Sequence, residues 1–321
     1  MHNVEVFLSC DWGTTAFRLR LVSIPGFTVI CETTNGQGIA ATHSRWKESG
    51  LPEVEKFRFY QEILTEAINS LQQQTDQVLQ GTPLVIAGMA SSSIGMLELP
   101  YTPVPCLADG SQLNVHHVAM SPHLLRDTYI VSGVRSTNDV MRGEETLVAG
   151  SYQQTIEHQM IILPGTHSKH ITIKQGLITN FSTYITGELF HLLTQHSILS
   201  GSVTTSSISE GQNASWFTKG LMDSNTINPL HAMFLVRTNM LFATCTQQEN
   251  YLYLSGLCIG LELSDLSNSS PETITLVSGN QLRPLYELAL NTLVPKATIN
   301  FVAADQAVLK GQYTLLKNLP G

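Results

Sequence analysis

Charged residues are scarce in this chain of 321 residues, where Asp, Glu, Lys and Arg together make up only 13%. Lysine and arginine account for 17 residues against 25 acidic ones, which gives a formal net charge of −8. The sequence contains no run of basic residues, so it lacks the positive surface that attracts nucleic acids and anionic membranes. We therefore expect neither as a partner, and we expect any anionic ligand to be held by a few individually placed cations.

Cysteines and long apolar segments are scarce as well. The five cysteines are scattered and odd in number, which is typical of reduced intracellular thiols and not of a disulfide framework or a zinc site. The longest apolar segment, residues 251–263, is too short to span a bilayer and contains Glu262. The N-terminus shows no positive region followed by an apolar stretch, so no secretory signal is evident. These features predict a cytoplasmic protein.

The elements that the sequence does contain alternate between strands and helices. Apolar residues at helical spacing between residues 57 and 71 predict a long amphipathic helix. Short apolar runs predict strands at 83–87, 129–133, 275–279 and 299–303. Strands alternating with helices indicate an α/β architecture, and the length favours two domains at roughly 150 residues each.

The most informative stretch is Asp-Trp-Gly-Thr-Thr at residues 11–15, which separates two strand-like runs and so predicts a β-hairpin. Gly13 lets the backbone approach a ligand closely, and the hydroxyls of Thr14 and Thr15 can face phosphate oxygens. Asp11 is a hard oxygen ligand of the kind that Mg²⁺ prefers. For this segment alone, an ordinary polar turn is the alternative.

A second unit of the same kind lies in the other half of the chain. Pro-Gly-Thr-His-Ser-Lys at residues 164–169 again stands between an apolar run and an alternating one. The pair of units suits a duplicated fold in which two phosphate-binding hairpins face each other across a cleft. Gly165 and Thr166 are the predicted phosphate contacts of this unit, and Lys169 is a further candidate as a point charge.

His167 and His170 have a spacing that resembles a pair of metal ligands. Residues three apart on an alternating strand point to opposite faces, so we do not expect the two to share a metal ion. We interpret His167 as a contact to the transferred phosphate or to the sugar, and His170 as a residue of the strand surface.

Five short motifs occur in a fixed order along the chain. They are Asp-Trp-Gly-Thr-Thr at 11–15, Ala-Gly-Met-Ala-Ser-Ser at 87–92, Met-Arg-Gly-Glu-Glu-Thr at 141–146, Pro-Gly-Thr-His-Ser-Lys at 164–169 and Thr-Gly-Glu-Leu at 186–189. As an ordered set they resemble the 2-dehydro-3-deoxygalactonokinase family, within the superfamily of acetate and sugar kinases, chaperone ATPases and actin. The match extends from the first strand to the C-terminal helix.

The resemblance implies a duplicated, ribonuclease-H-like α/β fold of the actin and sugar-kinase ATPases, with two lobes around a cleft. Residues 1–135 would form the N-terminal lobe, with the first phosphate turn and the sugar-side loop. Residues 136–321 would form the C-terminal lobe, with the second phosphate turn and the adenosine region. The implied activity is ATP- and Mg²⁺-dependent phosphorylation of 2-dehydro-3-deoxy-D-galactonate on its terminal (6-) hydroxyl.

The resemblance also suggests a general base. In related carbohydrate kinases, a Gly-Asp-Gln segment just before the second phosphate turn carries the catalytic carboxylate, and Glu144 occupies the comparable place. Asp139 is close enough in sequence to be a rival, and Glu145 is alternatively a helix cap. Acidic residues here also favour a helix N-terminus through the helix dipole, so a purely structural role stays open.

A carboxylated sugar requires a cation, and a planar guanidinium binds a carboxylate through two hydrogen bonds. Arg18, at the position of the family's arginine, and Arg142, beside the acid pair, are the candidates. The remaining sugar contacts implied by the family are Met89, Ala90, Ser91, Gly187 and Glu188. Gly279 and Asn280 are predicted to begin a helix and contact adenosine, although a simple helix cap is the alternative.

Three stretches depart from the family pattern, namely Ala16 with Phe17, residues 277–281 and residues 304–307. They leave open two alternatives: a kinase of another sugar or sugar acid, and a catalytically weak sugar-binding or regulatory protein on the same fold. A transcriptional regulator would need a basic DNA-reading element, which the sequence lacks. The expected partners are therefore ATP and a sugar acid, with a homodimer as one expected assembly.

Overall fold

The computed structural model of the protein describes residues 5–208, 214–266 and 271–318. Contacts divide the chain into two compact units, which comprise residues 1–155, 176–180 and 304–321 in the first and residues 156–175 and 181–303 in the second. The division predicted from the sequence, between residues 135 and 136, differs from this one, because residues 136–155 and the last helix join the first unit. The assignment of functional lobes stays a prediction.

The first unit is built on a six-stranded sheet of order β3-β2-β1-β4-β8-β7. Its strands are β1 (Val6–Trp12), β2 (Phe17–Ser23), β3 (Thr28–Asn35), β4 (Leu84–Gly88), β7 (Val115–Val118) and β8 (Thr128–Val131). The first three strands are antiparallel, whereas β4 is parallel to β1 and to β8. A small second sheet contains β5 (Thr102–Pro103), β9 (Val134–Arg135) and β10 (Val140–Met141).

Three long helices and one short one belong to this unit, namely α1 (Ile39–Glu48), α2 (Lys56–Gln72), α3 (Glu144–Ser151) and the C-terminal α9 (Ala304–Asn318). Helix α2 is the amphipathic helix that the sequence predicted, and it buries Tyr60, Leu64 and Ile68 in the core beside β1 and β2. Helices α3 and α9 approach so closely that a Cβ atom at Gly150 or Gly311 would overlap backbone atoms of the other helix.

The second unit contains β11 (His158–Leu163), β12 (Ser168–Lys174), the second half of β13 (Leu177–Tyr184), β14 (Thr273–Ser278) and β15 (Thr298–Ala303). Its helices are α4 (Thr186–His196), α5 (Ala214–Thr226), α6 (Pro229–Leu241), α7 (Gln247–Leu263) and α8 (Arg283–Leu293). Twelve residues of α7 are buried, which explains why its sequence is apolar on every side. The first residues of β13 lie in the first unit and pair with β6 (Cys106–Leu107).

The two sheets repeat one topology. In the second sheet the order is β15-β14-β11-β12-β13, which matches β8-β4-β1-β2-β3 of the first strand for strand. In both, an antiparallel hairpin is followed by a parallel strand beside its first strand and then by a second parallel strand. This repeat confirms the predicted duplicated α/β fold, and each Gly-Thr turn joins the first two strands of its own copy.

Two local predictions differ from the structure. The helix expected to begin at Gly279 begins instead at Arg283, after a short connection. His170, expected on the strand surface, is buried with about 5% of its area exposed. No helix among the described residues is long and apolar enough to cross a membrane.

Candidate active site

The first Gly-Thr turn (Gly13–Ala16) is fixed by helix α1. Within the turn, the Gly13 N–H donates to the Ala16 carbonyl at 2.9 Å. The N–H groups of Ile39 and Ala40 donate to the carbonyls of Gly13 and Thr14 at 2.9 and 3.0 Å. These bonds use the turn's carbonyl oxygens, while Thr14 and Thr15 stay exposed. The predicted phosphate-binding threonines are therefore available on a turn that is held from one side.

Gly38 makes this arrangement sterically feasible. A Cβ atom at that position would overlap the backbone carbonyl of Thr14. Gly38 was not among the site residues predicted from the sequence. The Gly-Gln-Gly run at 36–38, directly after a strand, is the signal that would have indicated it.

Two glycine-containing segments pack in succession beside the end of β1, where Asp11 lies. Gly88, with a φ of +91°, lies so near that an added Cβ would be 2.8 Å from the Trp12 carbonyl oxygen and 3.5 Å from Asp11 Oδ1. Gly143, with a φ of +104°, would place a Cβ 3.2 Å from the Gly88 Cα. Both positions combine a left-handed backbone with a close approach, which only glycine tolerates without strain. The 87–92 and 141–146 motifs are thereby brought beside the end of β1.

The Asp11 carboxylate occupies an unusual electrostatic environment. The residue is exposed, yet the protein packed around it displaces enough water for this desolvation to raise its pKa. The guanidinium groups of Arg18 and Arg20 act in the opposite direction, whereas the carboxylates of Asp305 and Glu144 raise the pKa further. Asp11 and Glu144 are thus close enough to interact electrostatically, as a metal-organising carboxylate and a base would be.

Glu144 and Glu145 open helix α3, and both carboxylates accept backbone N–H groups. Arg142 N–H donates to Glu144 Oε2 at 2.8 Å, and Gly143 N–H donates to the two oxygens of Glu145 at 2.9 and 2.7 Å. Glu144 is half-buried, whereas Glu145 is buried. The helix-cap role foreseen for Glu145 is therefore present, and Glu144 contributes to the same helix end.

Asp139, the rival base, lies in the connection between β9 and β10. Its Oδ1 accepts the Val140 N–H at 2.7 Å, and its carbonyl accepts the Ser136 N–H at 2.9 Å. Asp139 is half-buried. Its role, like that of Glu144, stays a prediction that substitution must decide.

Burial raises the pKa of Glu145 from its usual 4.5 to about 8, and the nearby charge of Glu144 adds to this effect. A carboxyl group whose pKa is higher in the folded state favours folding while protonated. The free energy of unfolding is therefore expected to fall between about pH 4.5 and pH 8, by about 1.4 kcal/mol for each pH unit.

Urea unfolding at pH 5.5 and pH 8 measures this loss. We expect Glu145→Gln, which cannot ionise, to lose less free energy of unfolding over this interval than the wild-type protein. The exposed Glu48→Gln variant at the end of α1 is the control and should keep the wild-type pH dependence. Equal losses in all three proteins would show that Glu145 is not the titrating group.

Arg142 is held beside the sugar-side loop. Its Nη1 donates to the carbonyl of Ser91 and, at 2.6 Å, to the Ser91 hydroxyl. The guanidinium carbon lies 4.2 Å from the centroid of the Tyr101 ring, a cation–π arrangement. Met89 is half-buried, but Ala90 and Ser91 are buried, and Ala90 belongs to the hydrophobic core. Tyr101 was not predicted from the sequence.

Arg18 is engaged in a charged cluster with Arg20 and Asp305. Its Nη1 and the Nη2 of Arg20 lie 2.8 and 2.7 Å from the same oxygen of Asp305, and Arg20 Nε lies 3.0 Å from Glu32. Partial burial raises the pKa of Asp305, but the two guanidinium groups outweigh it and lower that pKa below its usual value. Arg18 remains about 40% exposed. Asp305, noted only as a departure from the family, is thus a neighbour of the predicted site.

In the second unit, the second Gly-Thr turn (Pro164–His167) is held by the start of α4. A Cβ at Gly187 would lie 2.5 Å from the Gly165 carbonyl oxygen, and Glu188 N–H donates to the Thr166 carbonyl at 3.1 Å. The side chain of Glu188 lies 2.6 Å from His167 Nε2, with both side chains about half exposed. Two motifs that are about 20 residues apart in sequence therefore form one surface.

Lys169, predicted as a candidate point charge for a phosphate, is buried. Its ammonium group donates to the His167 carbonyl at 3.1 Å. This contact ties the side chain to the backbone of the second Gly-Thr turn.

A cavity of about 860 Å³ opens beside the second Gly-Thr turn. Of the predicted residues, Gly165, Thr166, Gly187 and Asn280 line it. The other walls come from Thr186 and Phe190 of α4, from residues 205–208, from α7 between 251 and 259, and from residues between 281 and 286. Gly279 immediately precedes the lining and is exposed. The volume suits a nucleotide-sized ligand, with apolar and hydroxyl-bearing walls.

Asp11 is the carboxylate predicted to bind a divalent metal. Within residues 5–208, 214–266 and 271–318, no three His, Cys, Asp or Glu side chains cluster closely enough to hold a metal ion alone. A single exposed carboxylate such as Asp11 fits Mg²⁺, which is commonly held by one or two carboxylates together with waters and substrate phosphates.

A family model and two known proteins resemble this chain, and their descriptions name a kinase of the same sugar acid. The family model described as 2-keto-3-deoxy-galactonokinase matches residues 11–315. The chain is 29% identical to the 2-dehydro-3-deoxygalactonokinase of Escherichia coli (strain K12) over 314 residues, or 95% of each protein. A Rhizobium meliloti (strain 1021) protein to which the same activity is ascribed is 28% identical over 97% of this chain and 96% of its own.

A solved structure is similar as well. It is a Sinorhizobium meliloti protein to which 2-dehydro-3-deoxygalactonokinase activity is ascribed. It is 26% identical, with a TM-score of 0.79 over 97% of this chain and 96% of that one.

Proposed function

Because this chain belongs to the 2-keto-3-deoxy-galactonokinase family, we propose that it transfers the γ-phosphate of ATP to the terminal (6-) hydroxyl of 2-dehydro-3-deoxy-D-galactonate. The chain is an ATP-dependent carbohydrate kinase, a phosphotransferase with an alcohol group as acceptor. The observation that supports the chemistry best is the packing of the Gly88 and Gly143 segments in succession beside the end of β1, where Asp11 lies, because it gathers an oxygen ligand, a base candidate and a guanidinium in one unit.

Phosphoryl transfer needs positioned phosphates, charge neutralisation and a group that receives the acceptor's proton. We assign Asp11 to the divalent metal, and a bound Mg²⁺ would neutralise charge on the phosphates. Gly13, Thr14 and Thr15 would contact phosphate oxygens through amide and hydroxyl groups. As the new O–P bond forms and ADP leaves, Glu144 would accept the proton of the 6-hydroxyl.

In the second unit, the cavity beside the second Gly-Thr turn is the nucleotide site of this proposal. Gly165 and Thr166 would contact phosphates at one end of the cavity, and Asn280 would lie beside the adenosine. The exposed His167, whose Nε2 lies against Glu188, would be a further contact of the same turn to a phosphate. Lys169 would act indirectly, by holding the backbone of the turn.

The carboxylate of the sugar acid requires a cation. The contacts of the two candidate arginines favour Arg142 over Arg18 as its ligand. Arg18 already pairs with Asp305, whereas Arg142 takes part in none of the ion pairs found among the described residues. The Arg142 Nε atom is buried without a hydrogen-bond partner. Ser91 and Tyr101 fix the guanidinium plane, which prepares it for a planar carboxylate.

We therefore expect Arg142→Lys, which keeps the charge but loses the planar fork, to raise the KM for the sugar acid about 10–100-fold. This is the effect of losing a charged hydrogen bond worth about 1.5–3 kcal/mol. The KM for ATP should change little, and Arg18→Lys should have the smaller effect. A larger rise in Arg18→Lys would reverse the ranking and identify Arg18 as the carboxylate ligand.

A coupled assay that detects ADP tests the proposed function directly. The panel should contain 2-dehydro-3-deoxy-D-galactonate, its gluconate epimer, D-galactonate and neutral D-galactose. Highest kcat/KM on the first compound supports the proposal, and preference for another compound identifies a different sugar or sugar acid. ADP binding without turnover on any compound would favour the sugar-binding or regulatory alternative.

Two further expectations accompany this function. The use of ATP and the five cysteines without disulfide bonds fit a cytoplasmic enzyme. The homodimer stays a prediction, which size-exclusion chromatography with light scattering would test.

A further inference from the structure

Beneath the cavity of the second unit lies a buried group of polar side chains for which the proposed chemistry has no role. Ser168, His170, Glu262 and Tyr286 each expose about 5% of their area or less. Tyr286 OH donates to Glu262 Oε2 at 2.7 Å, and His170 Nε2 lies 3.0 Å from Glu262 Oε1. Burying a carboxylate is costly, and both of its oxygens are satisfied here.

The hydrogen bonds run in one direction, from the second Gly-Thr turn to the carboxylate. A tyrosine hydroxyl has one proton, and Tyr286 gives it to Glu262. The Ser168 hydroxyl lies 3.3 Å from the Tyr286 oxygen and 3.4 Å from the Gly165 carbonyl oxygen. It has one proton, and because Tyr286 gives its own to Glu262, the bond between Ser168 and Tyr286 forms only with Ser168 as the donor. Gly165 N–H in turn donates to Ser168 Oγ at 3.3 Å. Burial, followed by the charge of Glu262, raises the pKa of Tyr286 well above its usual value, so the tyrosine keeps its proton.

This chain of bonds joins three walls of the cavity. Gly165 belongs to the turn, Tyr286 lies on α8, and Glu262 lies on α7 one turn beyond the cavity-lining Cys258. Apolar side chains in place of this polar group could stabilise the same packing at least as well, because buried charged groups seldom add net stability. Hydrogen bonds are directional and apolar contacts are not. This chain of hydrogen bonds therefore fixes the turn in one arrangement relative to α8.

We propose that Glu262 is a positioning residue, which holds the second Gly-Thr turn in its nucleotide-binding arrangement through Tyr286 and Ser168. This inference rests on the proposed function in taking the cavity as the nucleotide site. Its effect falls on nucleotide binding and leaves the binding of the sugar acid unchanged.

The test compares two buried tyrosines that each donate to a carboxylate in the same unit. Tyr286→Phe breaks the chain in the middle. Tyr253→Phe is the matched control, because Tyr253 OH donates to Asp223 at 2.9 Å and Tyr253 lies outside the cavity lining. Both variants should lose similar stability. Only Tyr286→Phe should weaken ADP binding in calorimetry, by about tenfold, and raise the KM for ATP without changing that for the sugar acid.

Hydrogen–deuterium exchange of the nucleotide-free protein tests the positioning itself. The amides of residues 164–168 should exchange faster in Tyr286→Phe than in the wild-type and Tyr253→Phe proteins. Glu262→Gln should behave like the wild type, since its amide oxygen still accepts from Tyr286 and its NH₂ group can donate to His170.

Three results would contradict the positioning role or the nucleotide site. Unchanged exchange and ADP affinity in Tyr286→Phe would overturn the positioning role. An equal loss of ADP affinity in Tyr253→Phe would reduce the role to general stability. A wild-type protein that binds no ADP would overturn the proposed function and the nucleotide half of the inference, while the exchange data would still decide whether the turn is positioned.

Discussion

Replacing Asp11 by Asn is expected to abolish turnover while leaving the fold intact. The substitution removes the oxygen charge assigned to the divalent metal, and kcat should fall by about 10³-fold or more, the size that a positioned charge contributes to phosphoryl transfer. Folding should survive because the pKa of Asp11 is raised in the folded state, which means that its negative charge does not favour folding.

Coupled assays at saturating ATP and sugar acid measure kcat, and thermal unfolding measures stability. The exposed Asp76→Asn variant, in the segment after α2, carries the same chemical change away from the site and should keep full activity. An Asp11→Asn protein that turns over normally, or a wild-type protein that does so in excess chelator, would exclude the metal role of Asp11.

Glu144→Gln is expected to give the second largest loss. The change is nearly isosteric, and an amide oxygen can still accept the Arg142 N–H that Glu144 accepts now. The helix end should therefore persist while the carboxylate is lost. A positioned general base contributes about 10²–10⁴-fold, so kcat should fall by that factor with little change in KM.

Asp139→Asn is the decisive comparison for this assignment. If Glu144 is the base, Asp139→Asn should keep most of the wild-type kcat. If the Asp139→Asn protein is inactive and the Glu144→Gln protein is active, the general base is Asp139. Loss of folding in Glu144→Gln, seen as a lower unfolding temperature, would instead indicate that Glu144 acts mainly as a helix cap.

Local sequence patterns were sufficient for the hairpins, the long helix α2 and the duplicated topology. The hairpins and the helix depend on periodicity within one short segment, such as the alternation of residues 17–21 or the helical spacing from 57 to 71. The duplication was predicted from two similar short units and from the order of the five motifs. The boundary of the compact units could not be predicted this way. Helix α9 packs on α3 across about 150 residues of sequence, through close contacts that no local pattern encodes.

In the candidate site too, some residues could be predicted from the local sequence and others could not. Asp11, Gly13 and the Gly-Thr turns were identifiable because their chemistry lies in consecutive residues. Asp305 was not, since its contacts with Arg18 and Arg20 join residues 285 or more positions apart. Tyr101 was missed for a similar reason, because nothing near it in sequence indicates that Arg142 will lie over its ring.

By itself, the sequence determined the strand and helix patterns, the two Gly-Thr turns and the family of this protein, because each is encoded in short segments or in the order of short motifs. The tertiary structure decided which charges are paired and which are buried. His170 was expected on a surface and Glu262 was noted only as a charge in an apolar segment, yet the two meet inside the second unit. Burial and long-range pairing depend on packing between distant segments, and only the folded chain specifies them.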